Sequence, residues 1–212
     1  MRLLVIGASK GIGLETVRYA LQRGHDVRAF ARSADRIGIE DDRLEKLTGD
    51  ALNPEDVAAA LKGVDAVIVA LGIPKTLAGI AERTTLFSDA TRVLLPAMAA
   101  AGVRRLLVVT GFGAGDSKDR ISTVEKIPFK TLLGRAYADK DVQEEMIRAS
   151  DLDWTIARPG ILMNRPPSHA YEVLVEPETW RNGLISRGDV AHFLVHAAED
   201  GSHVHQAPVL IR

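Results

Sequence analysis

The first 32 residues constrain this chain more than any other stretch. The apolar run Arg2-Leu3-Leu4-Val5-Ile6 enters Gly7-Ala8-Ser9-Lys10-Gly11-Ile12-Gly13, and a second apolar run at 27–31 ends at Arg32. Between them, residues 14–23 read as a helix with Leu14, Val17, Ala20 and Leu21 on one stripe and Gly24 as its stop. Strand, glycine turn, helix and strand follow in that order. A run that is apolar on both faces suits a parallel strand covered on each side, so the unit predicts a parallel βαβ start.

The alternation continues. Residues 44–48, 66–70, 105–110 and 154–158 read as further strands. Asn53-Pro54-Glu55-Asp56 is a helix start, with a capping side chain followed by proline at the first helical position, and that helix runs to about Leu61. Helices are also expected over 84–101, where Pro96 should kink the axis, and over 135–149. Residues 111–130, with three glycines and a proline, read as a loop with short helical pieces. In the tail, residues 171–176 and 208–211 read as short strands, and a helix falls within Arg187–Asp200. The pattern predicts an α/β fold, a doubly wound, mostly parallel sheet, in one domain. Residues 159–212 should add a small lobe over the carboxyl edge of the strands, where such sheets bind ligands.

Composition narrows the function classes. The 27 basic and 28 acidic residues nearly cancel, which gives no basic footprint for nucleic acid. Cysteine is absent, so disulfides, thiolate chemistry and cysteine-ligated metals are excluded. The apolar start is too short for a signal peptide, and the stretch at 66–73 is too short for a membrane span. A soluble cytoplasmic protein acting on a small molecule, as monomer or homodimer, is expected.

The glycine turn carries chemistry. A pyrophosphate needs backbone N–H groups converging on one space and a helix N-terminus facing it, with no side chains in the way. Gly7 can take the tight turn, Gly11 can let a phosphate approach, and Gly13 can let the helix pack close to the strand. Ser9 and Lys10 add a hydroxyl and a cation beside Ile12. At the end of the second strand the chain reads Phe30-Ala31-Arg32-Ser33, where a carboxylate would select the ribose hydroxyls of NAD. Arg32 can pair instead with a 2′-phosphate and Ser33 can donate to it, so the expected cofactor is NADP(H).

With these elements the chain resembles a short-chain dehydrogenase/reductase. More narrowly, it resembles the atypical NAD(P)-binding branch that includes NmrA-like and biliverdin/flavin reductase-like proteins. The markers are Gly7-x-x-x-Gly11-x-Gly13, Gly49-Asp50, Ala70-Leu71-Gly72, Val108-Val109-Thr110-Gly111, the helix from Lys140 to Ser150, Trp154-Thr155-Ile156-Ala157-Arg158-Pro159-Gly160, and Ile185-Ser186-Arg187-Gly188-Asp189-Val190-Ala191. The resemblance implies that Asp50 and Ala51 flank the adenine and that Ala70, Leu71 and Gly72 pass beneath the adenosine. It implies that Thr110 sits beside the nicotinamide, that Lys140 reaches the nicotinamide ribose, and that Pro159, Gly160 and Ile161 meet the carboxamide through backbone groups. The segment 186–190 would start a late helix as a structural feature.

Thr110, Tyr137 and Lys140 are the catalytic candidates. The family's acid is the tyrosine of Tyr-x-x-x-Lys, where i,i+4 spacing puts both groups on one helix face. Here Tyr137 and Lys140 are three apart, and Ala136 holds the i−4 position. Other groups read more plainly. Glu144 and Glu145 with Arg148 read as a solvated helix face. His192 and His196, four apart, lack a third ligand, so no metal site is expected. Phe112 and Trp180 either line a substrate pocket or fill a core. Phe112, Leu162, Met163 and His169 are candidates for the acceptor's cleft. Two functions fit: an NADPH-dependent reductase of a small acceptor such as a flavin or quinone, or a non-catalytic NADP(H)-binding redox sensor. A sugar-nucleotide epimerase fits less well, since the tail is small and the tyrosine is displaced.

Overall fold

The strands alternate their side chains between two apolar layers, and this decides how the helices pack. Leu3 and Val5 of β1 (Arg2–Ile6) face one layer, and Leu4 and Ile6 face the other. The computed structural model describes residues 1–73, 85–120 and 123–212, and for residues 123–134 the backbone alone. Helices α1 (Gly11–Gln22) and α5 (Arg187–Asp200) pack on the first face through Val17, Leu21, Val190 and Leu194. Helices α2 (Pro54–Ala60), α3 (Leu86–Ala101) and α4 (Thr123–Arg148) cover the second, with Val57, Leu94, Met98 and Ile147 in its core.

The other strands are β2 (Asp26–Ala31), β3 (Leu44–Thr48), β4 (Ala66–Val69), β5 (Arg105–Val109), β6 (Asp153–Pro159), β7 (Ile161–Met163), β8 (Glu172–Leu174), β9 (Leu184–Ser186) and β10 (Val209–Ile211). Eight of them form one sheet in the order β3-β2-β1-β4-β5-β6-β10-β8, all parallel except β8. The order reverses between β1 and β4, the switch point at which a doubly wound sheet opens a ligand crevice. The doubly wound expectation holds.

Three details differ from the sequence reading. The first helix starts at Gly11, inside the glycine turn rather than after it. The helix expected at 135–149 begins at Thr123, so the last eight residues of the segment read as a loop with short helical pieces belong to it. Pro128 and Gly134 argue against a helix there, yet a helix packed along α3 runs through both, as tertiary context overrides propensity. In the tail, β8 and β10 extend the main sheet, while β7 and β9 pair separately as a two-stranded ribbon that the sequence pattern did not reveal. Helix α3 starts at Leu86 and continues through Pro96; residue 84, its expected start, lies outside the described residues.

Candidate functional site

At the switch point β1 hands the chain to α1 through four residues. Gly7 takes φ +86°, and a Cβ there would lie 2.7 Å from the Ala70 carbonyl oxygen, so the turn rests on the end of β4. A Cβ on Gly13 would lie 2.3 Å from the Gly7 carbonyl oxygen, which is the close helix–turn packing expected of it. Gly11, at φ +58°, takes a left-handed conformation, and the Arg187 Nε lies 3.9 Å from where its Cβ would stand.

The start of α1 is unlike those of α2, α3 and α5. Asn53 accepts from the N–H groups of Glu55 and Asp56 at the head of α2. The Asp139 carboxylate accepts from Phe87 and Ser88 at the head of α3, and Ser186 accepts from Asp189 in α5. Helix α1 has neither a side-chain cap nor an acid in its first turn. Its leading N–H groups are engaged by no described side chain, and the helix dipole adds partial positive charge. These groups fit an anionic phosphate.

A cleft of about 1230 Å³ runs from this turn along the carboxyl edge of the sheet. Ser9, Lys10, Gly11 and Ile12 line one part, with Arg32 and Ser33 after β2 beside them. Arg32 is exposed and makes no ion pair with any described residue. Asp50, Ala51, Ala70, Leu71 and Gly72 line the floor. The Asp50 loop is braced at both ends: its N–H donates to Asp56 Oδ2 at 2.8 Å, and its Oδ1 accepts from the Leu52 N–H at 3.0 Å.

The far end is made by β5, α4 and β6. Thr110, Tyr137, Lys140, Pro159 and Gly160 line it, with Leu162 and Met163 opposite. Lys140 Nζ donates to the Thr110 carbonyl oxygen and stands 5.0 Å from the centre of the Phe87 ring. Burial pushes the Lys140 ammonium down to about 8, against a smaller opposing pull from Glu144. The Tyr137 hydroxyl is held against Gly111, where a Cβ would lie 2.5 Å away. Burial, with Glu144 nearby, pushes that hydroxyl up to about 12. Lys140 is not among the causes of the tyrosine's shift, and burial leaves the hydroxyl a weaker acid than usual.

Thr110 turns its hydroxyl inward and donates to Glu144 Oε1 at 2.7 Å. Glu144 is 1% exposed and not on a solvated face, which corrects the sequence reading. It pairs with Arg158, which is fully buried, through Nε at 3.1 Å and Nη2 at 2.5 Å, and Asp116 also pairs with that guanidinium. The periodicity of α4 marks Glu144 as polar, but only β6 lying beneath it supplies the buried arginine.

Several expected site residues fall elsewhere. Gly13 sits behind the cleft wall as a packing residue. Ile161 is 54% exposed and outside the lining; its N–H donates to the Gly183 carbonyl oxygen, and the Gly160 N–H donates to that of Leu210. Those two donors are thus engaged by the sheet. Phe112 and Trp180 fill a core with Leu174, Val209 and Ile211, so the pocket alternative is set aside. His169 lies on the outer side of α1 and α5, its ring 4.5 Å from that of His192 and 6.2 Å from that of Tyr19. His192 in turn stacks 4.3 Å from His196. Conversely, Asn164, Arg165 and Arg187 line the cleft unforeseen. Arg165 is a single basic residue in the loop after β7, and the sequence reading gives Arg187 only a structural place at the start of a late helix.

Comparison with known proteins agrees with this geometry. The NAD(P)H-binding family matches residues 7–201. An uncharacterized sugar epimerase, YhfK, of Bacillus subtilis is 27% identical over 94% of this chain and 89% of its own length. The structure of ChuY, an anaerobillin reductase from Escherichia coli O157:H7, is 26% identical, covers 100% of this chain and 97% of that one, and superposes with a TM-score of 0.81. A short-chain dehydrogenase/reductase from Veillonella parvula in complex with NADP shares the fold at a TM-score of 0.83 and 19% identity, over 100% of this chain and 94% of its own. Together with the glycine turn at the switch point, these findings place the chain in the NAD(P)H-binding family.

Proposed function

We propose that this protein is an NADPH-dependent reductase of a small acceptor. The carrying observation is the size of the cleft, about 1230 Å³, since a pocket for one small molecule is commonly ~300–1,000 Å³. That leaves room for a second molecule beside the dinucleotide. Gly7, Ser9, Lys10, Gly11, Ile12 and Gly13 would hold or shape the pyrophosphate site, and Arg32 with Ser33 the 2′-phosphate. Asp50, Ala51, Ala70, Leu71 and Gly72 would take the adenosine. Thr110, Lys140, Pro159 and Gly160 would border the nicotinamide, and Leu162 and Met163 the acceptor.

When bound, NADPH supplies a hydride. The chain's own part is to orient and to exclude water. Lys140 braces the Thr110 backbone, while Glu144 and Arg158 fix that residue from behind. Thr110 directs its hydroxyl away from the acceptor, and Tyr137 keeps its proton, so neither is suited to protonate the product. An acceptor such as a flavin or quinone fits, because it takes two electrons as hydride and its proton from solvent. The likeness to an anaerobillin reductase supports a small acceptor and leaves its identity open.

That no poised acid stands among the described residues favours a second reading, a non-catalytic NADP(H) sensor. Oxidation of NADPH, followed with flavin, quinone and aldehyde acceptors, separates the two. Turnover with flavins or quinones and little with aldehydes is expected. Retained NADP(H) binding with no turnover above background would replace the reductase by the sensor.

A further inference from the structure

We propose that Arg187 is a second cation for the cofactor's pyrophosphate, reaching over the glycine turn from α5. The inference rests on the cofactor reading above and adds a ligand outside the turn itself. Arg187 is the first residue of α5, some 175 positions from the turn in sequence, yet its Nε lies only 3.9 Å from where a Cβ on Gly11 would stand. The Arg187 side chain therefore covers Gly11 at the mouth of the turn. A phosphate seated against the leading N–H groups of α1 would lie between them and this guanidinium.

The charge of Arg187 has no acidic partner among the described residues. Its Nη1 donates to the side-chain oxygen of Asn164, a neutral group, at 2.5 Å. The nearest acid in the helix, Asp189, is 1% exposed and already engaged. It accepts from the N–H groups of Ser168 and His169 at 2.8 Å, and from the hydroxyls of Ser186 and Ser168 at 2.8 and 3.2 Å. Arg187 is half-buried, and a half-buried guanidinium without a carboxylate is short of an anion.

The surrounding chain holds the arginine in place. Asp189 ties residues 168–169 to the head of α5, and Gly188 lets Pro167 sit against it, since a Cβ there would meet the proline ring at 3.0–3.2 Å. Asn164 stands on the same strap, so it acts as a positioning residue for the guanidinium. Arg187 and Arg32 thus divide the phosphates between them, the first on the pyrophosphate and the second on the 2′-phosphate.

Equilibrium titration of the full chain with NADP⁺, NAD⁺ and adenosine 2′-monophosphate tests this division. Arg187→Gln should weaken NADP⁺ and NAD⁺ alike by about tenfold and leave adenosine 2′-monophosphate within twofold. Arg187→Lys, which keeps the charge but loses the fork, should recover part of the loss, and Asn164→Ala should cost less than Arg187→Gln. Unchanged NADP⁺ affinity in Arg187→Gln, or a loss confined to NADP⁺ over NAD⁺, would overturn the assignment. Wild-type protein that binds no NADP⁺ would instead overturn the cofactor reading on which it rests.

Discussion

The two ends of the cleft are built in opposite ways. The glycine-turn end is a stretch of consecutive backbone with its polar groups left open: α1 starts without a cap, and Arg32 has no ion-pair partner among the described residues. The Thr110 end is assembled from β5, α4 and β6, and its main polar side chains bond one another, with Arg158 Nη1 alone among them buried without a partner. Thr110, Glu144, Arg158 and Asp116 form one connected set, of which Glu144 and Arg158 are fully withdrawn from water. An end that must take up an anion leaves its donors unpaired. The end proposed to border the nicotinamide sets a buried carboxylate, Glu144, against a buried guanidinium, Arg158. The contrast also explains why the first end announces a ligand and the second does not announce a reaction.

The largest test of this contrast is at the paired end. Glu144→Ala leaves the Arg158 guanidinium buried with only the half-exposed Asp116 for company, and should lower unfolding stability by about 3–5 kcal/mol in urea titration. A loss below about 1 kcal/mol would mean that the pair does not hold this end together. At the open end, Gly13→Ala drives a Cβ to 2.3 Å from the Gly7 carbonyl oxygen. It should cost about 1–3 kcal/mol and, because the turn must move, weaken NADPH at least about tenfold by fluorescence titration. Normal affinity there would show that the turn geometry is not what receives the cofactor.

Arg32→Asp touches selectivity more than stability. It should weaken NADPH by about tenfold or more while NADH changes little, since a charge-assisted bond contributes ~1.5–3 kcal/mol. Equal losses for both nucleotides would remove Arg32 from the 2′-phosphate.

The smallest effect concerns pH. Lys140 is pushed down to about 8 from its ordinary 10.5, so between those values the unfolded chain holds a proton that the folded chain has released. Stability should therefore rise with pH across that window relative to Lys140→Met, by about 1 kcal/mol or less because the side chain is only half-buried. Parallel pH profiles for the two proteins would show that Lys140 keeps its charge in the fold.

Legibility followed the same division. The residues from β1 to Arg32 are contiguous, and their period, glycines and terminal cation describe a dinucleotide site without any long-range contact. Asn53 as a cap and Arg187–Asp200 as a helix were readable for the same local reason. Tyr137 was legible only as a departure in spacing; its burial against Gly111 and its raised pKa depend on how α4 lies over β5. Glu144 was misread because a carboxylate on an amphipathic helix is ordinarily solvated, and nothing within its own helix indicates a buried arginine beneath it. Phe112 fills a core and His169 stays on the surface; of the alternatives the sequence left open only the fold chooses, because a loop's sequence does not say which side of the sheet it turns towards.

The sequence by itself determined the doubly wound sheet and the glycine turn at its switch point, and Arg32 raises the expectation of a phosphate-bearing cofactor. Each follows from periodicity or from neighbours a few residues apart, where backbone geometry translates directly into sequence. The tertiary structure decided which charges are buried, which strands complete the sheet and which distant side chains face the turn. Those outcomes depend on contacts between residues such as Glu144 and Arg158, or Gly11 and Arg187, that only packing brings within a few ångströms.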